Sequence, residues 1–200
     1  KMIKVMQAIG ELERQWANMK SYPPLPPGLN YIHPGVIVGG PGGGKDGKLT
    51  RQPENPGTFP DYCSAEYELK FYPDEDIEKV KEAFEKHLFH LCQLDPWLKE
   101  HPPKVTWGLR GIYFPPAQTP ATHPIVQTVT QAHRSKGRSV RISGYAAVTD
   151  MCWYSSQNVP SVVYGPGEIH LAHSPEESLL IEDLLYATTV YAETILRWCS

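Results

Sequence analysis

A few stretches of the sequence bring together residue types that could do chemistry. Gly39-Gly40-Pro41-Gly42-Gly43-Gly44-Lys45 matches the opening of a phosphate-binding loop, G-x-x-x-x-G-K, directly after a short apolar run. The match fails one position later. Asp46 stands where that loop has a hydroxyl for magnesium, its carboxylate would repel phosphate, and Gly47 to Pro56 holds too many helix breakers. A flexible connection between strands is the expected role. His87, His90 and Cys92 cluster late in a helical stretch, and His87 and His90 share a face at i, i+3 spacing. No carboxylate follows at zinc spacing, and imidazoles suit a helix C-terminus, so structural histidines and a small apolar thiol are expected. The third stretch runs from Val162-Val163-Tyr164 through Gly165-Pro166-Gly167 to Leu171-Ala172-His173-Ser174-Pro175-Glu176-Glu177. An apolar strand feeds a glycine turn and then a histidine ahead of carboxylates. Glycines let backbone amides approach a ligand closely, so His173 could offer a ring nitrogen to a metal while Glu176 or Glu177 orients the turn.

Composition narrows the setting. The 200 residues carry a formal net charge of -3 with 20% charged residues, which gives no electrostatic footprint for nucleic acid or an acidic membrane. No apolar run reaches the roughly eighteen residues of a membrane span, and the Lys1-Met2-Ile3-Lys4 start lacks a signal-peptide pattern. Cys63, Cys92, Cys152 and Cys199 lie far apart without a C-x-x-C pair. Free thiols and a cytoplasmic location are the expectation.

The elements that must position these groups follow from periodicity. Met2, Ile3, Met6, Ile9, Leu12, Trp16 and Met19 recur at steps of three and four, predicting an amphipathic helix over Lys1 to Met19. It starts without a cap, so a preceding strand is expected beyond Lys1. Gly35 to Gly39 reads as a strand. Tyr62 to Phe71 alternates strictly, with Cys63, Ala65, Tyr67, Leu69 and Phe71 on one face. Pro73-Asp74-Glu75-Asp76 starts a helix that continues through Ile77, Val80, Phe84, Leu88 and Leu91, and Lys104 to Leu109 alternates as a further strand. This order of helix, strand, strand, helix, strand predicts an antiparallel sheet with helices on one face. Beyond the proline-rich linker after Gly111, His123-Pro124 opens a helix closing near Gly137. Tyr145 to Val148 and Ser161 to Tyr164 read as short buried strands. Ile181 to Trp198 reads as a final helix with Leu184, Leu185, Thr188, Tyr191, Ile195 and Trp198 facing inward.

With the elements placed, the sequence resembles the zinc-dependent peptidases and deacylases that include acetylornithine deacetylase, succinyl-diaminopimelate desuccinylase and aminoacylase. Thr149-Asp150, Pro160, Val163, Gly165-Pro166-Gly167, Ala172-His173 and Glu177 resemble that family's closing signature in order and spacing. Gly35-Val36-Ile37, Gly39-Gly40, Pro60-Asp61-Tyr62-Cys63 and the strand ending at Pro73 resemble its lid or dimerisation domain. The resemblance implies an α+β chain. Residues 1–110 would form a ferredoxin-like lid whose first strand is missing, and residues 111–200 the C-terminal α/β portion of a catalytic domain.

It further implies a site with two zinc ions, cobalt or manganese being alternative occupants, that activates water to hydrolyse N-acyl amino acids or similar small amides. His173 matches the last metal ligand. Asn55, Lys70, Gly165, Pro166 and Gly167 match substrate-binding positions, and no catalytic residue falls in this chain. The family's other ligands and its base glutamate lie in an N-terminal half absent from these residues, so the chain alone is expected to be inactive. A homodimer through the lid is implied, with no nucleic-acid or membrane partner. Some positions depart from the pattern. Asn55 sits several residues before Pro60, Lys70 stands where arginine ends the strand, and Cys152 stands where the nearest subgroup has arginine. Lysine keeps the charge but loses the two-pronged grip on a carboxylate. The competing reading is a non-catalytic, dimerising ferredoxin-like interaction module that binds no zinc.

Overall fold

The computed structural model of the chain describes residues 1–41 and 57–200, so Asn55 and the Gly42 to Asp46 part of the glycine-rich run lie outside the described residues. Helices and a two-stranded antiparallel sheet make up its regular structure, and it forms two compact units, Lys1–Gly111 and Ile112–Ser200.

In the first unit, helix α1 (Met2–Met19) packs on helix α2 (Ile77–Gln93). The inward stripe of α1 is Val5, Ala8, Ile9, Leu12 and Trp16, whereas Ile3 and Met19, expected on that stripe, are 72% and 82% exposed. Small residues decide the rotation. With Val5 and Ala8 turned inward the helices approach closely enough for His87 Nε2 to lie 2.9 Å from the Ala8 carbonyl oxygen. From α2, Val80, Phe84, Leu88 and Cys92 complete this core. Each large side chain buried there contributes on the order of 1.5–3 kcal/mol. Asp76 caps α2 by accepting from the Glu78 amide at 2.9 Å, in the acidic turn the sequence predicts.

Strand β1 (Ile32–Gly40) pairs antiparallel with β2 (Tyr62–Leu69), from Ile32 opposite Leu69 to Gly40 opposite Tyr62. Gly35 is the extra residue of a bulge between Pro34 and Val36, next to a proline that has no amide to give the ladder. Ile32, Tyr67, Leu69 and Phe71 pack toward the helices, while Val36 and Ile37 stay exposed. The strand expected over Lys104 to Leu109 does not form: the segment joins no ladder among the described residues, and Leu109 opens a 3-10 turn that runs to Gly111. Side chains fix it instead. Val105 and Trp107 pack on the core, Trp107 stands edge-on to Phe84 with centroids 5.3 Å apart, and its Nε1 donates to Glu85 at 2.6 Å.

The second unit is built around helix α4 (Pro124–Arg134) packed on α6 (Ile181–Trp198). Their contact buries Val126, Thr130 and Ala132 against Ala187 and Val190. That overturns the inward face expected for α6: Leu184, Leu185, Ile195 and Trp198 are 49–62% exposed. Alanine and valine let the two backbones close, and the bulkier leucines are left on the other side. His123 caps α4 through Nδ1, which accepts from the Ile125 amide, with Pro124 at the first turn. The expected strands at Tyr145 to Val148 and Ser161 to Tyr164 join no ladder among the described residues, and Tyr145, Val148 and Val163 are exposed. At Ser161 a side chain takes the place of a neighbouring strand. Thr119 Oγ1 donates to the Ser161 carbonyl at 2.6 Å and accepts from its amide at 3.2 Å.

A buried carboxylate ties the helices of the first unit together. Asp95 caps the short helix α3 (Pro96–Glu100) by accepting from the Trp97 and Leu98 amides, and it receives Lys1 Nζ at 2.8 Å and Lys4 Nζ at 2.7 Å from α1. The hydrogen bonds from Lys1, then Lys4, then the Leu98 amide hold its carboxyl well below the usual carboxylate range. A carboxyl depressed on folding stabilises the fold above its unfolded value, 3.8, and loses that contribution as pH falls toward the folded one. Thermal unfolding across pH therefore has a defined expectation. Asp95→Asn should lower the midpoint clearly near pH 7, and the gap to the unsubstituted protein should shrink below about pH 3. A gap that stays constant with pH would contradict this role.

Candidate functional site

The segment from Ser161 to Glu177 carries the candidate chemistry, and its backbone is held one group at a time. Tyr164, the residue before the glycine turn, has its carbonyl bound by the Tyr191 hydroxyl of α6 at 2.7 Å. The Tyr164 ring stands edge-on to His133 of α4 and to Tyr191, with centroids 4.9 and 5.1 Å away. His133 Nδ1 lies 2.9 Å from the Tyr186 hydroxyl, and the Arg138 guanidinium covers the Tyr186 ring at 3.9 Å. Burial, with the Arg138 charge adding to it, pushes the His133 imidazole below its ordinary value and favours the neutral ring. Burial also raises the Tyr164 phenol.

Beyond this anchor, Gly165-Pro166-Gly167 turns the chain. Gly167 has φ +106, which side-chain-bearing residues rarely adopt, so the turn requires glycine there. A short 3-10 turn at Ile169–Leu171 follows. His173 then takes φ 63, a left-handed conformation that is uncommon outside glycine. Glu177 holds it there: its Oε2 accepts from the His173 amide at 2.7 Å, while the Ser174 amide donates to the Leu171 carbonyl and the Glu177 amide to that of Ser174. The His173 side chain is exposed. Of the two carboxylates that could orient this turn, Glu177 is the one engaged.

Thr149, Asp150, Met151, Tyr154, Val159 and the Ser161 to Tyr164 segment line an open cleft of about 440 Å³ in the same unit. Cys152, on helix α5 (Met151–Ser156), is buried, so its thiol does not occupy a surface position such as a substrate-facing arginine would need. Lys70 belongs to the first unit. Its Nζ sits 4.5 Å over the Tyr31 ring, and its amide donates to the Tyr31 carbonyl at 2.8 Å. His87 and Cys92 serve the helix core as expected. Gly39 and Gly40 lie in β1, paired with Cys63 and Tyr62.

Among the described residues no three of His, Cys, Asp and Glu come together as a group able to hold a metal ion. His173 therefore offers a single donor, presented on a stiffened turn. Spacing pointed to His173 and to the glycine turn, but not to Thr119, His133 or Tyr186. Tyr191 falls on the helical stripe, yet nothing in its spacing marks its hydroxyl as the partner of Tyr164.

The chain belongs to Peptidase family M20/M25/M40, whose profile matches residues 7–197. It is 34% identical over 206 aligned positions to the N-formyl-4-amino-5-aminomethyl-2-methylpyrimidine deformylase of Halalkalibacterium halodurans, covering 100% of this chain and 45% of that protein. It is 35% identical over 207 positions to the deformylase of the same name from Bacillus subtilis, covering 100% of this chain and 46% of that one. The chain thus spans about half the length of the curated relatives it matches. Among the described residues no helix is long and apolar enough to cross a membrane.

The hold on His173 can be tested without any assay of activity. Glu177→Ala removes the acceptor of the His173 amide, at a cost of about 1 kcal/mol. Hydrogen exchange at that amide should quicken by roughly fivefold to tenfold, with the α4 and α6 amides unchanged. Unchanged exchange at His173 would show that the left-handed turn does not depend on Glu177.

Proposed function

We propose that this chain is part of a metal-dependent amidohydrolase that removes the formyl group from an N-formylated aminomethylpyrimidine, releasing formate and the free amine. The observation that carries this reading is similarity over 100% of the chain to two deformylases, at 34% and 35% identity. The lid position supports it. A substrate with a carboxylate calls for a two-pronged arginine, and here Lys70 stands in that place with its ammonium on the Tyr31 ring. An aminopyrimidine has no carboxylate to bind. N-acyl amino acids, which the closing signature alone brings to mind, therefore fit this lid less well than a carboxylate-free amide.

In this reading residues 111–200 are the C-terminal portion of the catalytic domain and the β1–β2 ribbon with its helices belongs to a ferredoxin-like lid. His173 is the metal ligand of this segment, and the turn of Gly165, Pro166 and Gly167, with both glycines exposed, faces substrate. The donor set fits a contribution of one ligand: an exposed imidazole on a turn fixed by Glu177. A catalytic zinc takes about three protein ligands, so the others come from outside the described residues. When bound, such a metal pair supplies a polarised carbonyl and a water of lowered pKa. Val36 and Ile37, exposed on the ribbon, suit pairing of two lids in a homodimer.

The test uses the longer polypeptide that contains this segment. Formate release from N-formyl-4-amino-5-aminomethyl-2-methylpyrimidine should exceed hydrolysis of N-acetylornithine by at least about a hundredfold in kcat/KM, a difference of roughly 2.7 kcal/mol in transition-state binding. A chelator should abolish it, zinc, cobalt or manganese should restore it, and His173→Ala should lower both bound metal and rate. The same preparation should sediment as a dimer. Preference for the N-acetyl amino acid would overturn the substrate assignment, and full metal content in His173→Ala would overturn the ligand assignment.

A further inference from the structure

The Tyr164–Gly165 peptide offers more than a place in the chain. Its carbonyl side is occupied by the Tyr191 hydroxyl at 2.7 Å. The peptide is trans and planar, so its carbonyl and amide point in opposite directions. Fixing the carbonyl on α6 therefore fixes the Gly165 N–H on the far side of the chain. That N–H takes no acceptor among the described residues, and Gly165 is exposed. Pro166 has no amide, which leaves Gly165 and Gly167 as the donors of the turn. A Cβ added at Gly165 would lie 4.0 Å from the Tyr191 hydroxyl, an ordinary contact, so the Tyr191 hydroxyl borders this residue on the α6 side without crowding it.

Tyr191 is 46% exposed, and what places it is its helix. It lies one residue after Val190, which is fully buried in the α4–α6 contact, and its ring stands against that of Tyr164. The Tyr164 ring meets His133 on the α4 side. Both helices thus bear on the residue before the turn, and the hydroxyl that grips its carbonyl comes from helix α6.

We propose that Tyr191 is a positioning residue for substrate: by binding the Tyr164 carbonyl it presents the Gly165 amide as a preset hydrogen-bond donor to an acceptor atom of the bound amide. The inference rests on the deformylase reading for its substrate and on the Tyr191–Tyr164 geometry for its mechanism. Accepting a hydrogen bond also polarises the peptide, which strengthens the N–H as a donor.

The experiment replaces Tyr191 by Phe in the longer polypeptide, which removes the hydroxyl and keeps the ring. Two quantities are read: the 15N shift of the Gly165 amide, and kcat and KM for N-formyl-4-amino-5-aminomethyl-2-methylpyrimidine. The Gly165 resonance should move, and kcat/KM should fall about tenfold through KM, the worth of one well-placed hydrogen bond. A merely structural role would lower the unfolding midpoint without this selective rise in KM. In case Y191F folds poorly, 3-fluorotyrosine at position 191 keeps both ring and hydroxyl, makes the hydroxyl a stronger donor, and should move the Gly165 resonance in the opposite direction. An unmoved Gly165 resonance in both variants overturns the proposal, as does a moved resonance with wild-type KM. Failure of the deformylase reading shows separately, as absence of formate release by the unsubstituted enzyme.

Discussion

Backbone polar groups of an irregular segment that join no ladder need other partners, and at three residues of the second unit side chains supply them. Thr119 takes both the amide and the carbonyl of Ser161, Tyr191 takes the carbonyl of Tyr164, and Glu177 takes the amide of His173. These bonds lie along the stretch that ends in the candidate metal ligand. Their positions depend on the helices behind them: α4 packs on α6 with Ala132, Ala187 and Val190 buried, and His133 of one and Tyr191 of the other both meet the Tyr164 ring. Small residues in a helix contact thus set the placement of a turn that neither helix contains.

The first unit solves a different problem with the same economy. Its helices converge on Asp95, whose carboxylate caps α3 and receives Lys1, just before α1, and Lys4 of its first turn. Arg110, itself at φ 59 between the left-handed Gly108 and Gly111, reaches Glu66 on β2 at 2.8 Å and fastens the end of the unit to its sheet. The Arg110 hydrogen bond holds the Glu66 carboxyl below the ordinary range. The sheet leaves Val36 and Ile37 open, apolar residues on a paired but uncovered ribbon.

Much of this was legible in the residues themselves. Long periodic stretches declared their helices: Asp76 and the acidic turn before Ile77 marked the start of α2, and His123-Pro124 that of α4. Strict alternation over Tyr62 to Phe71 marked the strand that forms over Tyr62–Leu69, while at Val105 and Trp107 the same pattern marked packing on the core without a ladder among the described residues, and Leu109 is left exposed, because alternation says nothing of whether a neighbour is present to pair. Helix faces were misjudged where size outweighed hydrophobicity. Ile3 and Met19 on α1 and Leu184 and Leu185 on α6 are more apolar than Ala8 and Ala187, yet close approach of two backbones favours the alanines. At the candidate site, His173 and the glycine turn stood out through their place in the closing signature that the sequence resembles. Tyr191 and Thr119 did not, since each acts through one hydroxyl on a carbonyl 27 and 42 residues away in sequence, and no local pattern encodes such a pair.

On the proposed reading, the turn fixed by Glu177 delivers His173 to a metal whose remaining ligands come from elsewhere in the polypeptide. Anomalous diffraction from crystals of the zinc-loaded longer protein measures this directly. A ring nitrogen of His173 should lie about 2.0–2.1 Å from a zinc ion. A fully ligated zinc pair with the His173 imidazole outside its coordination would contradict it.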